Sequence, residues 1–112
     1  MNQPTESLLE RQIGAAPHAP GCYIFKDARD KVLYVGKAKE LAARVRSYLR
    51  PGQDGRPQIP FLMQLATSVE FVVMNNEKEA LVLENNLIKR FRPRFNVLLA
   101  TDDKTFLSVR MD

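Results

Sequence analysis

The sequence predicts an α/β domain of the α+β kind, built on a small central three-stranded antiparallel sheet flanked by helices. Three observations point there. Two runs of β-branched and aromatic residues, Gly21-Cys22-Tyr23-Ile24-Phe25 and Val32-Leu33-Tyr34-Val35-Gly36, flank the polar stretch Asp27-Ala28-Arg29-Asp30, which is the pattern of an antiparallel hairpin. A third run, Val69 to Met74, sets Phe71 and Val73 against Glu70 and Val72 and can pair with the hairpin. The stretches around these runs are rich in helix formers with apolar residues at helical spacing.

At 112 residues the chain makes one domain, large enough to bury roughly 65% of its unfolded surface. There is no apolar run of membrane-spanning length and no secretory signal, so a cytoplasmic protein with no membrane association is expected. The single cysteine, Cys22, excludes an internal disulfide or a multi-cysteine metal site and reads as a small buried hydrophobe.

In order, Glu6 to Ile13 forms a brief helix with Leu8, Leu9 and Ile13 as its stripe, within an N-terminal extension that covers residues 1–19. Gly14 ends it, and a Pro-punctuated approach carries His18, the only histidine, as a surface residue. A four-residue hairpin loop places Lys26 opposite Lys31 and Tyr23 opposite Tyr34 on one face. Lys37 to Arg50 forms the second helix, stopped by Pro51-Gly52, with Leu41, Val45 and Leu49 inward. Arg44 and Tyr48 lie along its edge, and Lys37, seven before Arg44, points the same way. Pro51 to Pro60 is a polar loop, and Phe61 to Ala66 is a short buried helix, with a strand as the alternative.

The next helix holds an anomaly. Asn76 is its N-cap, with Glu79 three residues on, and the helix runs to about Arg90. Its apolar face is Ala80, Leu83, Leu87, Ile88 and Phe91, yet Glu84 falls four after Ala80 and four before Ile88. An ionised carboxylate there must be reached from a cleft, paired with a base or bound to a cation. The first and third make it a site residue, and the alternative is a rim salt bridge. Arg92-Pro93 breaks the helix, and a terminal strand is expected around Phe106 to Val109.

The net charge of +4 is modest but unevenly spread. Between Leu41 and Gln53 there is no acid while Arg44, Arg46 and Arg50 appear; between Asn85 and Thr101 there is none while Lys89, Arg90, Arg92 and Arg94 appear. Two acid-free basic stretches suggest a polyanion partner, bound with a salt-dependent affinity that carries no sequence information.

These residues together resemble a known family. Gly21-Cys22-Tyr23 followed by Tyr34-Val35-Gly36 is similar to the paired signature of the GIY-YIG nucleases, with Cys22 and Val35 where isoleucine is usual. Tyr34-Val35-Gly36-Lys37-Ala38-Lys39, Arg44, Arg46-Ser47-Tyr48, Glu79-Ala80, Leu83-Glu84, Leu87-Ile88-Lys89, Pro93 and Phe95-Asn96-Val97 resemble the UvrC-type N-terminal members, with Phe95 in place of tyrosine. The likeness runs from about Pro17 to Asp103. It implies a metal-dependent DNA endonuclease that makes the 3′-side incision of bacterial nucleotide excision repair, using water and leaving a 5′-phosphate and a 3′-hydroxyl. In it Glu84 would bind one Mg²⁺ or Mn²⁺, and Tyr34 would act on the attacking water as general base or orienter, helped by the charge of Lys37. Arg44 would offset charge on the scissile phosphate, Tyr23 and Tyr48 would position water and phosphate, and Asn96 would hold the site. Lys37, Lys39, Arg44, Arg46, Arg50, Lys89, Arg92 and Arg94 would contact DNA. The implied partners are damaged double-stranded DNA and a helicase-like damage-recognition protein, UvrB, with this chain a fragment of a longer protein. A stand-alone GIY-YIG nuclease and a non-catalytic nucleic-acid-binding module are the alternatives.

Overall fold

The computed structural model describes residues 7–49 and 58–97. The elements run α1 (Leu8–Gly14), β1 (Gly21–Lys26), β2 (Val32–Ala38), α2 (Leu41–Arg46) continued by a 3₁₀ turn (Ser47–Leu49), α3 (Gln58–Leu65), β3 (Ser68–Val73) and α4 (Glu77–Phe91). Residues 94–97 add a further helical turn. The sheet has the order β2-β1-β3 and is antiparallel throughout. The expected three-stranded α+β architecture is what the chain adopts. Arg50, most of the Pro51 to Pro60 loop and the terminal strand around Phe106 lie outside the described residues.

The sheet is covered on both faces. Tyr23, Phe25 and Tyr34 share a core with Leu9 and Ile13 of α1, Leu41 and Val45 of α2 and Leu62 of α3. On the other face, the buried Cys22 thiol donates to the Ala80 carbonyl of α4 at 3.1 Å. Burial pushes that thiol up to about 11, with the Glu84 charge adding to the shift, so Cys22 behaves as the small hydrophobe expected.

The hairpin register differs from the expected one. Tyr23 pairs with Gly36 and Phe25 with Tyr34, with a bulge at Phe25/Lys26 that sets Lys26 opposite Val32. Asp27 is the cause: its carboxylate accepts the N–H groups of Arg29 at 2.8 Å and Lys31 at 3.0 Å, and its own N–H donates to the Lys31 carbonyl at 3.0 Å. With Asp30 at φ 66°, Lys31 closes the loop instead of facing Lys26. The displacement is even in residues, so Tyr23 and Tyr34 still share a face, with ring centroids 6.1 Å apart.

Helix boundaries shift for local reasons. Ser7 and Glu10 form a capping box that starts α1, burying Leu9 and Ile13 but leaving Leu8 exposed, contrary to the expected stripe. β2 continues through Lys37 and Ala38, and α2 begins only at Leu41, because the Glu40 side chain caps it by accepting the Ala43 N–H at 2.7 Å. The change to 3₁₀ winding at Ser47 turns Tyr48 inward, 4% exposed, and Leu49 outward, 41% exposed. α3 starts earlier than expected and buries one face, through Ile59 and Leu62, with Phe61 exposed. Asn76 caps α4 by accepting the Glu79 N–H at 2.8 Å, and Arg92, left-handed at φ 46°, ends it. Of the α4 stripe only Ala80 is fully buried; Leu83, Leu87 and Ile88 are half-buried and Phe91 is exposed. A three-stranded sheet is too narrow to cover fifteen residues of helix.

Candidate catalytic and metal site

Three phenols and a guanidinium meet on the core face of the hairpin. Tyr23 from β1, Tyr34 from β2 and Tyr48 from the 3₁₀ turn have ring centroids 5.7 to 6.5 Å apart. The hydroxyls of Tyr23 and Tyr48 are hydrogen-bonded at 2.8 Å. Arg44, one turn before Tyr48, donates from Nε to the Tyr23 hydroxyl at 3.3 Å and lays its guanidinium 5.4 Å from the Tyr48 ring centre. Gly36 makes room for this: a Cβ there would stand 2.3 Å from Cζ of Tyr23. Burial lifts the Tyr23 and Tyr48 phenols far above the ordinary range; Tyr34 adds to the lift of both and Tyr23 to that of Tyr48, while Arg44 opposes both and the Tyr48 hydroxyl opposes that of Tyr23. Both therefore stay protonated and serve as hydrogen-bonding groups, not as bases.

The acidic half of the site lies along the free edge of β2. Val35 turns both backbone groups outward there: its N–H donates to Oδ1 of Asn96 and its carbonyl accepts from Nδ2, each at 2.9 Å. Two residues on along β2 lies Lys37, whose charge and backbone act on the Glu84 carboxylate of α4. Glu84 is half-buried, and burial raises its pKa while the Lys37 ammonium and N–H pull the other way. The carboxylate thus reaches the rim of the strand that carries Tyr34.

Lys37 is not where the helical reading put it. It sits on β2, an odd number of residues from Tyr34, and so on the α4 face and not beside Arg44 and Tyr48. Its Nζ bonds Glu77 in the first turn of α4 at 3.0 Å. Sequence reasoning passed over Glu77, although it stands two helical turns before Glu84 and therefore on the same face.

No group of three or more His, Cys, Asp or Glu converges among the described residues, so Glu84 is not part of a carboxylate cluster of that size. One carboxylate oxygen donor suits a hard cation that keeps most of its waters, as Mg²⁺ does, and does not suit zinc. Of the predicted DNA contacts, Lys39, Arg46, Lys89, Arg92 and Arg94 are exposed and Arg44 is half-buried. Arg46 also donates to the Gly14 carbonyl at 3.1 Å, tying α2 to α1. His18, exposed as expected, pairs with the capping carboxylate of Glu40.

Residues 19–97 match the UvrC-like GIY-YIG domain model. The UvrABC system protein C of Geotalea daltonii is 55% identical over 100 residues, covering 89% of this chain and 16% of that protein. Its counterpart in Chlamydia trachomatis serovar D is 54% identical over 96 residues, covering 84% of this chain and again 16% of the relative. The chain therefore spans about one sixth of the length of these proteins. Among solved structures, the GIY-YIG N-terminal endonuclease domain of UvrC from Thermotoga maritima, bound to its catalytic magnesium, superposes with a TM-score of 0.69 at 42% identity, covering 76% of this chain and 91% of that one. With the hairpin signature, the phenol–guanidinium cluster and the half-buried Glu84 carboxylate on one frame, the chain belongs to the UvrC-like GIY-YIG family of endonuclease domains.

Proposed function

We propose that this domain hydrolyses a DNA phosphodiester bond with water as the nucleophile, leaving a 5′-phosphate and a 3′-hydroxyl, as the 3′-side incision of nucleotide excision repair in the cytoplasm. The observation that carries this is Glu84, a half-buried carboxylate at the free edge of the strand bearing Tyr34. Glu84 would hold one Mg²⁺ or Mn²⁺. When bound, the cation supplies Lewis-acid stabilisation of charge on the reacting phosphate.

The remaining roles belong to the chain's own side chains. Tyr34 orients the attacking water or takes its proton. Arg44 meets the negative charge that builds on the phosphate, aimed by the Tyr23 hydroxyl and the Tyr48 ring, which stay neutral and fixed. Asn96 keeps the β2 edge in place through Val35. Lys39, Arg46, Lys89, Arg92 and Arg94 are exposed and free of neighbouring acids in sequence save at Lys39, which suits them to a duplex backbone; Arg50 would join them. The relatives' name, UvrABC system protein C, supports damaged double-stranded DNA and the helicase-like UvrB as partners of a longer protein, and speaks against a stand-alone nuclease. A purely binding module is disfavoured because Glu84, without a cation, would repel phosphate.

The test is metal-dependent nicking of a damaged duplex in the presence of the helicase-like partner. Glu84→Gln is expected to reduce nicking to background while salt-sensitive DNA binding persists. Nicking by that variant at the parental rate overturns the metal role.

A further inference from the structure

Two Arg-Phe pairs follow Glu84 in the chain, and the fold treats them in opposite ways. In each, the guanidinium lies over the neighbouring ring, 5.4 Å from its centre for Arg90 and Phe91 and 5.6 Å for Arg94 and Phe95. Phe95 is 2% exposed and belongs to the core, whereas Phe91, the last residue of α4, is 45% exposed. Packing accounts for the first pair and leaves the second as a flat, cation-capped apolar surface.

One exposed apolar side chain is ordinary; the position of this one is not. Phe91 comes seven residues after Glu84 and so lies on the same side of α4. It stands about 10 Å further along the helix axis, the rise of about three base pairs. Around it runs the acid-free stretch from Asn85 to Thr101, with Lys89, Arg90, Arg92 and Arg94 all exposed. Leu81 and Val82, the other large exposed apolar residues of α4, stand instead between Glu79 and Glu84. Cations alone suffice for a phosphate backbone, but a flat ring among them gives a base a face to stack on. A base held in a duplex cannot reach it, and one that is mismatched or damaged leaves its stack at the least cost. We infer that Phe91, with Arg90 over its ring, is a stacking platform for an unpaired base within about three nucleotides of the phosphate at Glu84, and that it gives the domain a preference for locally opened DNA. The stacking role deepens the endonuclease reading and rests on it, because that reading is what brings DNA to this side of α4.

The chain has no tryptophan, so Phe91→Trp installs a single fluorescent reporter of stacking. The 112-residue chain is titrated, without divalent cation so that nothing is cut, with three probes: a duplex with a short central bubble of mismatched pairs, the fully paired duplex, and the same bubble lacking its bases. Thermal melts show that each variant is folded. The new indole is expected to be quenched by the bubble and not by the baseless bubble. By fluorescence anisotropy the parent binds the bubble about tenfold more tightly than the paired duplex, Phe91→Ala binds the two alike, and Phe91→Trp keeps the preference. The inference is overturned if Phe91→Ala retains the parental preference, if the parent has none, or if the indole responds equally to the baseless bubble. A loss of the same size on all three probes is a general weakening of binding and overturns it as well. The endonuclease reading is judged apart from these, by nicking: Glu84→Gln at the parental rate removes the metal role whatever the bubble shows, and a parent that binds none of the probes removes both.

Discussion

Asn96 holds Val35 by both sides of its backbone, accepting the N–H at Oδ1 and donating from Nδ2 to the carbonyl, each at 2.9 Å. One side chain thus does the work of a fourth strand over a single residue. Asn96→Ala leaves both groups without that partner and is expected to cost about 1–3 kcal/mol. The checks are a lower melting temperature and faster hydrogen exchange of the Val35 amide. Asn96→Asp keeps the acceptor but loses the donor, and should expose the Val35 carbonyl while sparing more of the amide protection.

Gly36→Ala puts a methyl group 2.3 Å from Cζ and 2.4 Å from the hydroxyl oxygen of Tyr23, a ring that is 1% exposed and has nowhere to retreat. A loss of about 1–3 kcal/mol is expected from overpacking. In a Tyr23→Ala background the same substitution should cost much less, and urea denaturation of the four proteins measures that coupling.

α1 lies outside residues 19–97 of the family match, yet it belongs to the core. Ile13 is fully buried, and Oε1 of Gln12 accepts the Val69 N–H of β3 at 2.8 Å. Ile13→Ala should cost about 2–5 kcal/mol and Gln12→Ala about 1–3 kcal/mol, as read by chemical denaturation. Wild-type stability in both variants would show that the extension is dispensable.

Burial holds the Glu84 carboxyl above its ordinary value of 4.5. An acid whose pKa is raised by folding binds its proton more tightly in the native chain, so its ionisation weakens the fold as pH climbs from the ordinary carboxylate range through the raised value. The penalty is complete above that value and absent below the ordinary range. In the metal-free chain Glu84→Gln should therefore be the more stable protein at neutral pH, with the gain vanishing below about pH 4. Urea midpoints across pH read this directly. By the same linkage, acidification should weaken divalent-cation binding at a higher pH than it does for an exposed carboxylate.

How far the sequence reaches is visible at particular residues. The strands were legible because their β-branched and aromatic runs are bounded by turn residues, and Glu84 was legible because a charge in an apolar stripe demands an explanation. The hairpin register was not, since the Asp27 side chain decides the loop and a bulge moves the pairing by an even count that alternation cannot detect. Lys37 was misplaced on a helix because Lys-Ala-Lys-Glu has high helix propensity, and propensity yields where Gly36 carries the strand past Tyr23. Tyr48 and Leu49 exchanged roles because a change from 3.6 to 3.0 residues per turn leaves no periodic mark over three residues. Gln12, whose contact is with a strand 57 positions away, gave no local signal at all.

The outer rim of β2 has one more consequence. A bare strand edge offers a row of unsatisfied donors and acceptors to any other chain, and proteins with such edges tend to polymerise. Here the Val35 amide and carbonyl are already taken by Asn96. Asn96 therefore also closes the β2 edge at Val35 against other copies of the chain, and losing it threatens solubility as well as stability.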